Sequence, residues 1–372
     1  MKRTDFSVDW LFAACAPDTE LLPWNAQFTP VDLPHDWQIR HADDLYRDGT
    51  LFYRKYFFVT DVPGTRRMLW FGGAYMDTTV FVNGTEVGQW KYGYTSFWFD
   101  ITDALHEGQN EVLVRCNLRH PNSRWYSGAG LYRNVELWEA PDLHLMPDGL
   151  YVAAKEGDNG AWTVAVTAEA GSVTAAITGR TLTLHLTDDN GSLLGTAAIP
   201  ADAWAALPSP DGWRTGKETA IYKASHVFTL QDPALWDLDA PNFYHITAEL
   251  TGADGVTDTL TTRFGCRTIE ATPDCGLLVN HKRVLIKGVC IHHDFGCLGS
   301  AFEYSAAKRQ LEILKSMGVN SIRTGHTPPA PQFMDLADEM GILMDVESFD
   351  CWRSGKNPYD YGRFFDEWQE KD

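Results

Sequence analysis

The sequence predicts a multidomain protein: a β jelly-roll sandwich, then an immunoglobulin-like β-sandwich, then a parallel α/β unit. Its 372 residues are too many for one core and suit two or three domains. Short strands separated by turn residues fill the chain up to residue 267, whereas strand-like runs alternate with helical spacing near the end. We expect the domains to span residues 1–142, 143–267 and 268–372.

The first domain is predicted to be a sandwich or jelly roll because short strands follow one another at close intervals. Asn83-Gly84 is a strong signal for a tight hairpin. Two loops, 33–37 and 122–130, concentrate aromatic and hydrogen-bonding residues, and each either plugs the edge of the sandwich or serves a site. The predicted strands are Leu51–Val59, Met68–Phe71, Asp77–Val82, Thr85–Val87, Glu111–Arg115 and Asn134–Trp138.

The second domain has about seven short strands over roughly 120 residues, which is typical of an immunoglobulin-like sandwich. It contains no obvious chemical constellation, so we interpret it as a spacer. The run of small residues at 168–179 is expected to be a loop, and Asp189-Asn-Gly191 a hairpin turn. The predicted strands are Trp162–Val166, Thr181–Leu186, His226–Leu230 and Tyr244–Leu250.

The third domain has a β-α-β-α-β pattern, which we expect to start at Leu277–Asn280. Apolar residues recur every three or four positions in two segments, which end at Gly318 and Gly341 as C-terminal caps. Each helix returns the chain across the sheet, so the strands are parallel and end at the same face. The strand-like runs are Val284–Val289, Val319–Arg323 and Ile342–Val346.

Polar and aromatic residues follow all three runs at their carboxyl ends, where α/β sheets and barrels bind ligands. Such a mouth suits a neutral polyhydroxylated ligand, whose hydroxyls need hydrogen bonds and whose C–H faces stack on aromatic rings. For any single residue the alternative is an ordinary loop position or a helix cap. The residues are His292, His293, Asp294, Arg323, His326, Glu347, Asp350 and Trp352.

The composition limits the partners and the location of the protein. A net charge of −19 argues against nucleic acid and anionic membranes, which are bound by clustered Lys and Arg. There is no run of about 18 apolar residues that could span a bilayer. The apolar stretch at 10–16 is too short for a signal peptide and is preceded by Asp5 and Asp9. We therefore expect a cytoplasmic protein.

The cysteines predict reduced structural thiols rather than disulfides or zinc ligands. Their number is odd and none of their spacings is a CxxC pair. We expect no cofactor and no metal; a metal held by Cys290, Cys297 and the His292–Asp294 group is the minor alternative. The seven are Cys15, Cys116, Cys266, Cys275, Cys290, Cys297 and Cys351.

Taken in order, the motifs of this chain resemble glycoside hydrolase family 2, the group of β-galactosidases, β-glucuronidases and β-mannosidases. The resemblance covers nearly the whole chain, and it is closest to the β-galactosidase branch. It implies a sugar-binding jelly roll, an immunoglobulin-like domain and the first part, about three β/α units, of a TIM (β/α)8 barrel. The motifs are Leu33–Trp37, Asn83-Gly84, Asp100–Thr102, Arg124–Arg133, Leu235–Tyr244, Phe264–Arg267, Lys287–Val289, His292–Asp294, Asn320–Pro328, Asp338–Gly341 and Glu347–Trp352.

The resemblance implies retaining hydrolysis of a β-glycoside by two Glu residues, one a general acid/base and one a nucleophile, about 5–5.5 Å apart. In the family the acid/base follows an Asn at the end of the fourth barrel strand, and the nucleophile lies at the seventh. No such Asn-Glu is found here, since Asn110-Glu111 belongs to the first sandwich. We therefore expect both catalytic residues beyond Asp372 and regard the chain as an inactive N-terminal fragment, because three parallel strands do not close a barrel.

The resemblance also assigns roles to individual residues. His292 and Asp294 are implied to contact substrate hydroxyls. His326 is implied to stabilise charge near the glycosidic bond, and Glu347 to hold Arg323 or a sugar hydroxyl. The predicted substrate-binding set is His292, Asp294, Arg323, His326, Glu347, Asn122, Arg124 and Trp352.

Two departures from the family pattern leave the sugar and the linkage undecided. Gly325 and Thr327 flank His326 where Ser and Asn are common, and Val346 replaces an Asp that often precedes the Glu. The competing hypothesis is a non-catalytic carbohydrate-binding or scaffold protein with a vestigial barrel. The expected partner is a β-glycoside, and a homo-oligomer of the full-length protein is left open.

Overall fold

The architecture was analysed in a computed structural model that describes residues 1–41, 43–60, 64–174, 176–208, 216–253 and 255–372. The described chain forms two β-sandwiches followed by a small antiparallel sheet and a parallel β-α-β-α-β unit. This agrees with the predicted order of folds. The predicted domain boundaries at 142/143 and 267/268 stay predictions.

The first sandwich is built from two antiparallel sheets with the strand orders β1-β10-β5-β8 and β3-β2-β4-β9-β6-β7. Alternation along the strands puts large side chains such as Trp10, Tyr53 and Phe71 into one core. Its described strands are β1 (Lys2–Asp5), β2 (Trp10–Cys15), β3 (Thr29–Val31), β4 (Gly49–Val59), β5 (Thr65–Phe71), β6 (Thr78–Val82), β7 (Thr85–Trp90), β8 (Phe97–Asp100), β9 (Gly108–Leu118) and β10 (Val135–Pro141).

The second sandwich has the strand orders β11-β12-β16-β15 and β14-β13-β17-β18. The loop predicted for 168–179 is wrong in its first part, since β12 continues to Ser172. Ala168 and Ala170 are fully buried there, because small side chains let the sheet pack closely. The described strands are β11 (His144–Glu156), β12 (Ala161–Ser172), β13 (Thr181–Asp188), β14 (Leu193–Pro200), β15 (Ala205–Leu207), β16 (Ala220–Gln231), β17 (Tyr244–Gly252) and β18 (Gly255–Phe264).

The expectation that the parallel unit starts at 277–280 is wrong, because this segment belongs to an antiparallel sheet. Asn280 and His281 both adopt positive φ, 50° and 62°, and form the tight turn of a hairpin. The strands of this small sheet are β19 (Ile269–Thr272), β20 (Gly276–Val279) and β21 (Lys282–Arg283).

The first parallel strand begins later than the predicted Val284–Val289. The side chain of Asn320 accepts from the Lys287 N–H at 2.8 Å and donates to the Leu285 carbonyl at 3.0 Å, so these backbone groups are not free for a ladder. The remaining elements are β22 (Gly288–Ile291), α1 (Tyr304–Ser316), β23 (Ser321–Thr324), α2 (Pro331–Glu339), β24 (Leu343–Val346) and α3 (Phe365–Trp368).

Both sandwiches are packed against the parallel unit. Trp236 of the second sandwich is fully buried and donates its indole N–H to the Asp338 carbonyl of α2 at 2.9 Å. On the other side, Phe349 and Tyr361 pack on Tyr92 of the first sandwich, with ring centroids 5.1 and 4.4 Å away. The first sandwich therefore reaches the carboxyl ends of the parallel strands.

Candidate functional site

The three parallel strands end together, as the sequence predicts. The register aligns Ile291, Thr324 and Val346, the last residues of β22, β23 and β24. The segments that follow, 292–294, 325–327 and 347–352, thus leave the sheet at one edge. An open cleft lies here, with a volume of about 880 Å³ that includes the space open to solvent at its mouth. It is lined by Arg124, Arg323, His326, Val346, Glu347, Ser348, Phe349, Asp350, Trp352 and Lys356.

Arg323, His326 and Glu347 form one hydrogen-bonded cluster in this cleft. The guanidinium of Arg323 donates from Nε to Glu347 Oε1 at 2.9 Å and from Nη2 to the same oxygen. The other carboxylate oxygen, Oε2, lies 2.7 Å from Nδ1 of His326. An ionised carboxylate only accepts hydrogen bonds, so this contact requires the proton on Nδ1.

The charge state of Glu347 follows from these contacts. Partial burial raises the pKa of the Glu347 carboxyl, but hydrogen bonds from His326 and Arg323 outweigh burial and hold the pKa below its ordinary value. The carboxylate is therefore ionised at neutral pH and acts as an acceptor. It is suited to fixing Arg323 and His326 rather than to donating a proton.

Beside the cleft, a residue of the first sandwich contacts the histidines that follow β22 and β23. The indole of Trp125 stacks on the imidazole of His292, with centroids 5.4 Å apart and planes 8° from parallel. Its centroid also lies 5.5 Å from that of His326, while His292 and His326 are 5.9 Å apart. One aromatic ring from the loop 122–130 thus contacts the ends of two barrel-type strands.

Arg124 and Lys356 converge on Asp350. The carboxylate of Asp350, whose side chain is only 8% exposed, accepts from Arg124 Nη2 at 2.6 Å and from Lys356 Nζ at 2.8 Å. Burial raises the pKa of Asp350, but these two cations outweigh burial and lower the pKa below its ordinary value. The side chains of Arg124 and Lys356 are 51% and 40% exposed, so the rim of the cleft presents positive charge.

The other predicted residues lie in different surroundings. Asn122 is 4% exposed: its amide oxygen accepts from the hydroxyls of Tyr75 and Ser127, and its nitrogen donates to the Arg119 carbonyl at 2.7 Å. These contacts fix the loop 122–130, and Asn122 lines a neighbouring pocket with Trp125 and Asp350 rather than the cleft itself. Asp294 is partly buried beyond β22, outside the cleft lining, whereas Trp352 is 58% exposed and lines the cleft.

Sequence reasoning missed Trp125 and Lys356, and it placed Asp350 at the strand ends without including it in the predicted substrate-binding set. Asp350 lies four positions after Val346, the last residue of β24, in the segment that the sequence places at the mouth of the site. Trp125 lies in a loop whose aromatic content was noted, but its contact with His292 joins residues far apart in the sequence. Lys356 offered no signal, because it lies in a segment without periodic structure.

In the part of the chain that the structure describes, no three His, Cys, Asp or Glu side chains are grouped as a metal ion requires. The helices of that part are all too short or too polar to span a bilayer.

The fold and the site define a multidomain protein with two β-sandwiches and the opening strands of an α/β barrel. Comparison with protein families matches residues 23–141 to the sugar binding domain of glycosyl hydrolases family 2, residues 148–267 to glycosyl hydrolases family 2, and residues 271–361 to the TIM barrel domain of that family. The chain therefore belongs to glycoside hydrolase family 2. The predicted family and the predicted order of jelly roll, immunoglobulin-like domain and partial barrel are confirmed.

The curated relatives carry the names of glycosidases. The chain is 35% identical to the β-galactosidase BoGH2A of Bacteroides ovatus over 100% of its own length and 44% of that protein. It is 31% identical to a putative β-glucuronidase of Formosa agariphila, again over 100% of its length and 35% of that protein. The chain thus spans less than half the length of both curated relatives.

Solved structures give the same result. A glycosyl hydrolase family 2 member from Bacteroides cellulosilyticus superposes with a TM-score of 0.86 at 29% identity, covering 100% of this chain and 49% of the other. A β-glycosidase from Bacteroides vulgatus gives 0.85 at 28% identity, with 100% and 48% coverage. About half of each solved chain therefore has a counterpart here.

Proposed function

We propose that this chain forms the sugar-binding side of the active site in a retaining, β-galactosidase-like hydrolase that cleaves O-glycosyl bonds. The observation that carries the proposal is the cluster of Arg323, His326 and Glu347 at the carboxyl ends of parallel strands. In α/β barrels this edge is where catalytic and binding residues lie. The named activity of the B. ovatus relative supports the galactoside branch.

The cluster suits a sugar hydroxyl or a developing charge on the glycosidic oxygen. Glu347 fixes the orientation of the Arg323 fork and of the His326 ring, so their remaining polar groups are held in place before a ligand binds. Preorganised donors of this kind stabilise charge that appears in the transition state. Trp352, exposed in the same cleft, offers a face for the C–H side of a sugar ring.

The pair of catalytic carboxylates is proposed to lie in later strands of the barrel. A closed barrel needs eight parallel strands, and the described residues contribute β22, β23 and β24. The length of the relatives supports this, since this chain corresponds to less than half of the two curated proteins. On this proposal the chain alone binds sugar weakly and does not hydrolyse it.

The remaining residue roles are proposals of the same kind. His292 is proposed to contact a sugar hydroxyl beside His326, with Asp294 at the same strand end. Arg124 is proposed to contact substrate from the rim, and Asn122 to act through the loop that it shapes. Each role is testable by alanine substitution in a protein that includes the rest of the barrel.

Location and association form a separate proposal. We propose a cytoplasmic protein without nucleic-acid or membrane partners, supported by the charge of −19 and by seven free cysteines. A homo-oligomer of the complete protein stays open. Cell fractionation and size-exclusion chromatography with light scattering test these points.

The deciding experiment is to continue the reading frame past Asp372 and assay the encoded protein. We expect an Asn-Glu at a strand end within about 30–50 residues and a second strand-end Glu later, with hydrolysis of nitrophenyl β-galactoside. A panel with β-glucuronide and β-mannoside identifies the sugar. A protein that binds galactose but hydrolyses none of the panel is instead the non-catalytic carbohydrate-binding protein, which the named enzymes among the relatives do not favour.

A further inference from the structure

Asp36 lies where three segments meet. Its carboxylate is 3% exposed. Oδ1 accepts from the backbone N–H groups of Gln38 and Ala129, both at 3.0 Å. Oδ2 accepts from the Tyr126 hydroxyl at 2.6 Å, and from the N–H and hydroxyl of Ser300 at 2.9 and 3.1 Å. One carboxylate thus joins its own loop, the loop 122–130 and the barrel segment 295–300.

The two partner segments both carry parts of the candidate site. The loop 122–130 carries Arg124 and Trp125, which contact Asp350 and His292 across the domain boundary. The segment 295–300 directly follows His292–Asp294, and it is closed by a hydrogen bond from the Phe295 N–H to the Gly299 carbonyl at 2.7 Å. Asp36 therefore connects the loop 122–130 to the segment 295–300, both of which adjoin the candidate site.

The junction leaves no room for a side chain at Gly128 or Gly299. Gly128 has φ +66°, and a Cβ placed there would lie 1.8 Å from Ser300 Oγ and 2.7 Å from Asp36 Oδ2. Gly299 has φ +62°, and its Cβ would lie 2.3 Å from Asp36 Oδ2. Both glycines are needed for the close approach as well as for the left-handed conformation.

We infer that Asp36 is a positioning residue of the site, which holds the loop 122–130 against the segment 295–300 and so keeps Trp125 stacked on His292. The chemistry requires a carboxylate, because only an ionised acid offers two oxygens that accept all five donors. An Asn that keeps its oxygen toward Gln38 and Ala129 would aim an N–H group at the Ser300 N–H. The inference rests on the proposed function for the identity of the site, and the contacts themselves do not depend on it.

Hydrogen exchange of the full 372-residue chain tests the positioning role without any sugar. In Asp36→Asn we expect amides in 122–130 and 295–301 to exchange about tenfold faster, the ratio expected from losing one charge-assisted hydrogen bond. The matched control is Asp100→Asn: Asp100 is also 3% exposed in the first sandwich and accepts from Arg66 at 2.9 Å, but does not contact the site. Equal exchange in both variants at these segments would overturn the inference.

A milder variant covers the case in which Asp36→Asn fails to fold. Ser300→Ala removes only the 3.1 Å hydroxyl contact and keeps the backbone bond at 2.9 Å. We expect faster exchange in 122–130, the loop on the other side of the junction, by a smaller factor. Exchange confined to 295–301 would mean that the two segments are not coupled, and the inference would be wrong.

Kinetics separate positioning from general stability in the protein that carries the rest of the barrel. We expect Asp36→Asn to raise KM for nitrophenyl β-galactoside about tenfold while kcat changes less than about twofold, because the loop contributes to substrate binding. A fall in kcat at unchanged KM would contradict the positioning role. If the wild-type protein hydrolyses no glycoside, the proposed function fails, whereas the exchange comparison still decides the role of Asp36.

Discussion

Trp125 stacks in parallel on His292 although the two residues belong to different domains, with ring centroids 5.4 Å apart. The first sandwich therefore contributes directly to the wall of the candidate site. A stacked aromatic pair contributes about 0.5–1.5 kcal/mol beyond its buried area, and it fixes the orientation of both rings. His292 is exposed, so its position depends on this contact more than on burial.

Replacing Trp125 by Ala should weaken substrate binding in the complete enzyme. We expect KM for nitrophenyl β-galactoside to rise roughly two- to tenfold, the range that corresponds to the stacking energy. The control is Trp24→Ala, because Trp24 is 97% exposed and lies outside the cleft. An equal change in KM for both variants would mean that the stack does not serve the site.

Arg323→Ala and His326→Ala should each lower kcat/KM of the complete enzyme by about 10²–10³, on the scale of a lost transition-state donor. Folding should be retained, because the two side chains are partly exposed. Steady-state kinetics on nitrophenyl β-galactoside and circular dichroism measure the two quantities.

Arg353→Ala is the control for these variants. Arg353 is 71% exposed and pairs with Asp366 outside the cleft. It should leave kcat/KM within about twofold, since exposed ion pairs contribute little. Unchanged kcat/KM in Arg323→Ala and His326→Ala would contradict the proposed role of these residues, regardless of the result for Arg353→Ala.

Gly318 and Gly341 follow the two long helices, at positions with φ +86° and +64°, but only one of them is crowded. A Cβ at Gly318 meets nothing within 4 Å, whereas a Cβ at Gly341 would lie 2.1 Å from the Leu238 carbonyl oxygen of the second sandwich. Gly318→Ala should therefore cost only about 1–2 kcal/mol of left-handed strain.

Gly341→Ala should lower the free energy of unfolding further, because backbone atoms of the neighbouring domain must move as well. Urea unfolding followed by circular dichroism measures both variants. An equal decrease in the free energy of unfolding for both variants would show that the contact between Gly341 and Leu238 adjusts without a measurable loss of stability.

Local patterns in the sequence predicted what depends on local structure. Period and spacing located α1 and α2 and their glycine caps, and the ends of the parallel strands located Arg323, His326 and Glu347. The start of β22 was missed, because the Asn320 side chain binds the preceding backbone. The turn at Asn280 and His281 was missed because it contains no glycine.

The rest of the site could not be predicted, because it depends on how the domains pack. The stack of Trp125 on His292 and the contacts of Asp36 with Ser300 join residues that are distant in the sequence. No periodicity relates such positions. Asn122 is buried and makes three hydrogen bonds within its surroundings, and the substrate-binding role that the family resemblance implies for it stays a prediction.

The hydrogen bond from the Trp236 indole to the Asp338 carbonyl should stabilise the contact between the second sandwich and α2. Trp236→Phe removes this donor, but the Asp338 carbonyl still accepts from the Gly341 N–H at 3.3 Å, so we expect a cost of about 0.5–1.5 kcal/mol, the net contribution of one hydrogen bond. The control is Trp204→Phe, which removes a similar 3.1 Å bond to the Ile199 carbonyl within the second sandwich. Both should unfold at lower urea, but only Trp236→Phe should speed amide exchange in 335–341. Equal exchange there would contradict the proposed contact role.

His35 should make stability depend on pH. Burial and, to a smaller extent, the charge of Arg40 lower the pKa of its imidazole to about 4 against the opposing effect of Asp36. In the unfolded chain the His35 imidazole is protonated near pH 6.5, whereas in the folded protein it is protonated only near pH 4. The contribution of neutral His35 to the free energy of unfolding is therefore fully present above about pH 6.5 and is lost as the pH falls toward 4. His35→Asn should show a weaker decline of the urea midpoint over this range than wild type. The exposed His106→Asn should follow wild type; identical slopes in all three proteins would mean that His35 is protonated in the folded state.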